Sequence, residues 1–116
     1  MTRHDPKVSF LQMRDTVQEA LSLSKNKSRN QLEDDRVLNL ALTRLLEVVG
    51  EAANRVPSDI QERFPHLPWS QIIGLRNRLI HAYDQVDFDI LWKIVSEDLP
   101  LFLPQLEEIV GKWDVE

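Results

Sequence analysis

The sequence predicts an all-α domain, a four- to five-helix up-and-down bundle spanning residues 1–116. Three observations predict it. Apolar residues recur at three- and four-residue spacing, the period of a helix face. Strict period-2 alternation is absent over any useful length. Only three glycines occur in 116 residues, and Pro and Ser/Asp signals fall where helices would start and stop.

The first helix is expected from Asp5-Pro6, with Asp as the cap and Pro at the first helical position, and runs to Ser24. It carries Phe10, Leu11, Val17 and Leu21. Lys25 to Asn30 is polar and basic, so it reads as a solvated loop that could also meet phosphates. The second helix is expected from Leu32 to Asn54. Its apolar stripe is Val37, Leu40, Ala41, Leu45, Val48 and Ala52, interrupted by Arg44. Gly50 lies inside it, where glycine costs about 1 kcal/mol relative to alanine. Close approach of another helix is the simplest reason for it. Pro57 ends the element. Ser58 and Gln61 have capping-box spacing for a short helix through Phe64.

Pro65 and Pro68 bracket a turn, and a fourth helix is expected from Trp69 to Ala82. Asp87 can cap a fifth from Phe88, with Ile90, Leu91, Ile94 and Val95 apolar. Pro100 and Pro104 fall in the last periodic stretch, Leu99 to Trp113, and should kink or restart it.

Composition narrows the function. With no cysteine there is neither a disulfide framework nor a thiolate metal site. The N-terminal residues lack the apolar stretch of a signal peptide. No apolar run approaches the roughly 20 residues needed to span a bilayer. A cytoplasmic protein without membrane attachment is expected. A net charge of −5 argues against a general nucleic-acid binder, though not against local positive charge at one site.

Chemistry concentrates in Arg76-Asn77-Arg78-Leu79-Ile80-His81-Ala82-Tyr83. Metal-free cleavage of RNA needs a base for the ribose 2′-OH, a proton for the leaving 5′-oxygen, and stabilisation of the phosphoryl charge. Histidine suits the proton transfers because it titrates near neutrality. Arginine offers a planar fork of donors to phosphate, and asparagine a neutral hydrogen bond. On a continuous helix Asn77 and His81 would be neighbours, and Arg76 and Tyr83, seven apart, would lie close in angle. Using all four would take a broad face or a second copy across a two-fold cleft. The bland alternative is a helix end bearing ordinary polar residues, with His81 near the helix C-terminal dipole.

Glu47 and Glu51 share a helix face and could hold a metal with His66, but the usual E-x-x-H spacing is missing, so no metal and no cofactor is expected. His4 and His66 read as surface residues. Trp69, Trp92 and Trp113 read as core or interface residues rather than base-stacking platforms.

Several stretches resemble the HEPN superfamily, and specifically the HepT-like toxins of MntA–HepT toxin–antitoxin pairs. They are Leu46-Glu47-Val48-Val49-Gly50-Glu51-Ala52-Ala53, Phe64-Pro65-His66-Leu67-Pro68-Trp69, Ile72 to His81 with its R-x4-H-x-Y run, and Glu97-Asp98-Leu99-Pro100. Together they cover roughly Leu32 to Val110. The resemblance implies a HEPN-like bundle that forms a homodimer with the motifs facing a shared cleft. It implies a metal-independent endoribonuclease acting on RNA such as tRNA or mRNA, and leaving a 2′,3′-cyclic phosphate. Arg76 and His81 would be the catalytic pair with Asn77 beside them, and Arg78 would bind RNA. Tyr83 would be the residue that an MntA-like nucleotidyltransferase antitoxin modifies with AMP. Ala82 stands where the family often has glycine. The alternative is a non-catalytic helical module that binds nucleotide or substrate for a nucleotidyltransferase.

Overall fold

The computed structural model describes residues 5–80 and 85–115, with the side chains of Asp114 and Val115 left aside. The secondary structure among these residues is helical apart from one isolated bridge. Helix α1 spans Pro6–Ser24. The Asp5 carboxylate accepts from the Lys7 N–H at 2.9 Å, and Pro6 sits in the first turn, as the sequence implies. Phe10, Met13, Val17 and Ala20 form its inner face.

The basic loop is shorter than expected. Helix α2, Arg29–Asp34, takes up its last two residues. Ser28 makes a full capping box: its hydroxyl accepts from the Gln31 N–H, and the Gln31 side chain accepts from the Ser28 N–H at 2.7 Å. Asp35 then separates α2 from α3, Arg36–Asn54, and its carboxylate accepts from the Leu38 N–H at 3.0 Å. The single helix expected from Leu32 is therefore two, because a side chain here captures a backbone donor that would otherwise continue the ladder.

Helix α3 also turns a different face inward. Its buried residues are Leu38, Asn39, Leu42, Thr43, Leu46, Val49, Gly50, Ala52 and Ala53. Of the stripe expected to be core, Val37 is 79% exposed and Leu40 51%, whereas Ala41, Leu45 and Val48 are half-buried and Ala52 lies in the core. Arg44 explains the choice, since burying that stripe would strip water from a guanidinium. The two polar residues on the inner face are satisfied. The Asn39 amide donates to the Leu32 carbonyl at 3.0 Å, and the Thr43 hydroxyl to the Asn39 carbonyl at 2.8 Å.

Helix α4 spans Ser58–Arg63. The capping box expected there does not form. Pro57 is the cap, Ser58 lies inside the helix, and the Gln61 amide donates to the Val56 carbonyl. Helices α5, Trp69–Ile73, and α6, Leu75–Leu79, follow and pack on α3. A Cβ added to Gly50 would meet the Ile72 carbonyl oxygen at 3.0 Å and that of Ile73 at 3.3 Å. Gly50 thus lets the backbone of α5 lie directly on α3, the reason anticipated from the sequence.

Helix α7, Phe88–Lys93, has the expected Asp87 cap, whose carboxylate accepts from the Asp89 and Ile90 N–H groups. A π-helical turn, Ile94–Asp98, leads into α8, Leu99–Val115. The widened turn lies just before Pro100, and α8 runs on past Pro104. Helix α1 packs between α3 and α8. Phe10 gathers Phe64, Trp69 and Trp113 at ring-centroid distances of 5.4–5.9 Å. The Trp69 indole N–H is satisfied by the Phe64 carbonyl. Trp92 is partly buried against the core.

Candidate ribonuclease site

Leu75 and Leu79 anchor α6 in the core, both fully buried. Being four apart they fix the helix's rotation, which turns Arg76 and Asn77 to solvent. Arg76 and Asn77 edge a shallow groove of about 190 Å³ whose other walls are Glu47, Gly50, Glu51, Asn54 and Ile73. Gly50, by admitting α5, also sets the floor.

The electrostatics of this groove come from α3. Glu47 Oε2 stands 3.8 Å from Arg76 Nε and 3.6 Å from Arg44 Nη1, and Glu51 Oε1 stands 3.5 Å from the same Arg44 nitrogen. Glu47 is largely covered, whereas the Arg76 side chain is 60% exposed. The carboxylate therefore steers the guanidinium without enclosing it, and most of the arginine's donors stay open to an anion. Sequence reading paired Glu47 and Glu51 as metal-ligand candidates. In the structure both face arginines, and His66 lies exposed on a different groove, with Arg63 and Glu108.

Arg78 points elsewhere. Its Nη2 lies 3.2 Å from Asp98 Oδ2, a pair in which Asp98 is 17% exposed, and its Nη1 is buried without a hydrogen-bond partner. The π-helical turn ends at this aspartate. The pair ties α6 to the start of α8, a contact invisible in the sequence because the residues are twenty apart.

The expected Trp69–Ala82 helix is corrected at two points. Gly74, at φ −86° and ψ 9°, divides it. It ends again at Leu79, where Ile80 is extended (φ −103°, ψ 119°) and pairs antiparallel with Val86. The Asp87 N–H donates to the Leu79 carbonyl at 2.8 Å. A β-branched residue favours this extended geometry, and the bridge supplies backbone bonds that a further helical turn would have made. Helical rotation therefore does not relate Asn77 to His81, or Arg76 to Tyr83. His81, Tyr83 and His4 lie outside the described residues. The structure brings Arg76 and Asn77 together, sets Arg78 apart from them, and adds Glu47.

The family model of ribonuclease HepT-like proteins matches residues 13–109. The chain belongs to this HepT-like family. One relative, of Methanocaldococcus jannaschii and named "Putative RNase MJ1380", is 34% identical over 92% of this chain and 98% of its own. A second protein of that organism, "Putative RNase MJ1216", is 29% identical over 95% of this chain and 91% of its own. "Probable ribonuclease HepT" of Thermococcus cleftensis is 39% identical over 65% of this chain and 68% of its own. No solved structure matches significantly. The HepT-like match includes α3, α6 and the π-helical turn, the elements that carry Glu47, Arg76 and Asp98. Among the described residues, no helix is long and apolar enough to cross a membrane.

Proposed function

We propose that this HepT-like chain is the toxin of a type VII-like toxin–antitoxin pair, a metal-independent endoribonuclease of the cytoplasm. The observation that carries the reading is Arg76, exposed beside Asn77 on a helix whose other face is locked into the core, in a chain of a ribonuclease family. An exposed guanidinium held by one carboxylate is a phosphate site with its orientation already set.

In this reading Arg76 binds the scissile phosphate and stabilises the charge that builds on its non-bridging oxygens. Asn77 holds a phosphate oxygen or the 2′-OH. His81 removes the 2′-OH proton as the 2′-oxygen attacks phosphorus. The bond to the 5′-oxygen breaks, that oxygen takes a proton, and a 2′,3′-cyclic phosphate remains. In a homodimer the two copies of His81 divide the base and acid roles. No step calls for a metal. RNA contact by Arg78 would follow only if its pair with Asp98 opened. An MntA-like nucleotidyltransferase antitoxin silences the site by placing AMP on Tyr83, whose added phosphate competes with RNA for Arg76.

The test is cleavage of RNA by purified protein in EDTA, with the ends identified by mass spectrometry. Cyclic phosphate ends are expected, with a loss of about 10²–10⁴-fold in His81→Ala and an unchanged circular dichroism spectrum. A requirement for Mg²⁺, or full activity in His81→Ala, would overturn the reading.

A further inference from the structure

The groove beside Arg76 has a second end that phosphate binding leaves unused. On α3, Glu47, Gly50, Glu51 and Asn54 recur at three- and four-residue spacing and form one strip along the groove, whose other wall holds Ile73 and Asn77. Glu47 is the member that meets Arg76. Glu51 lies about 6 Å further along the helix at 1.5 Å per residue, and Asn54 most of a turn beyond it. Arg44 is not part of the groove wall, yet its guanidinium stands 3.6 Å from Glu47 Oε2 and 3.5 Å from Glu51 Oε1. It steadies both carboxylates from outside the groove and offsets their charge, so that Glu51 can stand close to a bound phosphate.

We infer that this end of the groove reads a guanine base of the strand whose phosphate Arg76 holds. For RNA the inference rests on the ribonuclease reading; for guanosine binding it does not. The chemistry of the pairing edges selects the base. A carboxylate only accepts hydrogen bonds, and its two oxygens have about four acceptor sites, so contact with Arg44 leaves room for more. Guanine alone sets two donors side by side on its pairing edge, N1–H and N2–H, which match the two oxygens of Glu51. Adenine and cytosine set one donor beside an acceptor, and uracil sets one donor between two acceptors. Each of these would turn a lone pair toward the carboxylate. The Asn54 amide can donate to guanine O6, the third group on the same edge, and half-buried Ile73 offers the ring an apolar contact. A base read by its pairing edge must be unpaired, so the strand at the groove is single.

Two measurements on the full chain test it. The first is cleavage of an RNA that carries every dinucleotide step in unpaired segments, with the ends mapped by sequencing. Guanine is expected beside the cut, favoured about 10–100-fold over the other bases. Glu51 is 50% exposed, so Glu51→Gln leaves the core untouched while turning one acceptor into a donor. A glutamine matches the acceptor and donor of adenine, and the preference is expected to move from guanine toward adenine. A variant that only loosened the fold would slow cleavage at every step alike.

The second is a chemical-shift titration with the 3′- and 5′-monophosphates of the four nucleosides. Guanosine is expected to bind tightest and to move the backbone amides of Glu51 and Asn54, and Glu51→Gln is expected to remove its advantage. Cleavage with no base preference or with a preference for another base, an unchanged preference in Glu51→Gln, or equal binding of the four nucleotides would overturn the inference and leave the ribonuclease reading standing wherever RNA is cut. Guanosine-selective binding at Glu51 in a protein that cleaves no RNA would uphold the base site and overturn the ribonuclease reading.

Discussion

The backbone of Ile72 runs so close to Gly50 that a Cβ there would stand 3.0 Å from its carbonyl oxygen. Gly50→Ala therefore sets two effects against each other. The helix gains about 1 kcal/mol from the better residue, while the clash, with backbone rather than a pliable side chain, costs about 1–3 kcal/mol. A net loss of about 0–2 kcal/mol is expected by chemical denaturation. Gly111 is the control. It lies in α8 with nothing within 4 Å of an added Cβ, so Gly111→Ala should raise stability by about 0.5–1 kcal/mol.

Arg78 and Asp98 are mostly covered and should behave between a surface and a buried ion pair. Removing the carboxylate in Asp98→Ala leaves a partly desolvated guanidinium with two poorly paired nitrogens, and about 1–3 kcal/mol of stability should go with it. A double variant, Arg78→Met with Asp98→Leu, should recover much of that loss. Set against Arg78→Met and Asp98→Leu made singly, a loss in the double variant equal to the sum of those two losses would show that the residues act independently.

On the proposed reading, Glu47 would compete with phosphate for Arg76. In a His81→Ala background, where RNA should stay intact, Glu47→Gln is expected to tighten RNA binding several-fold by fluorescence anisotropy and to steepen its salt dependence. Unchanged affinity would mean that the carboxylate only orients the guanidinium.

Two serines with capping-box spacing should differ in kind. Ser28→Ala removes a working N-cap and should cost about 1 kcal/mol, with faster amide exchange at Gln31 and Leu32. Ser58→Ala removes no cap bond and should change stability by less than about 0.5 kcal/mol.

The helical class was legible because spacing reports it wherever one side of a segment is buried. The inward face of α3 was not. Its true core side carries Asn39 and Thr43, which look like solvent residues until their hydrogen bonds to Leu32 and Asn39 are seen. Its outer side is apolar enough to pass for the core. Gly50 could be read correctly because a glycine inside a strong helix has few explanations. The break at Leu79 could not, since it depends on Val86 offering Ile80 a backbone partner. Arg76 and Asn77 announced themselves by chemistry. Glu47's part needed the packing of α6 on α3, and Asp98's needed the π-helical turn that delivers it to Arg78.

The bridge between Ile80 and Val86 has a consequence for regulation. On the proposed modification, the AMP on Tyr83 is carried by a stretch whose two ends, Ile80 and Val86, the bridge fastens to each other. A covalently held inhibitor of this kind would act at a high effective concentration and would stay after the enzyme that attached it had left.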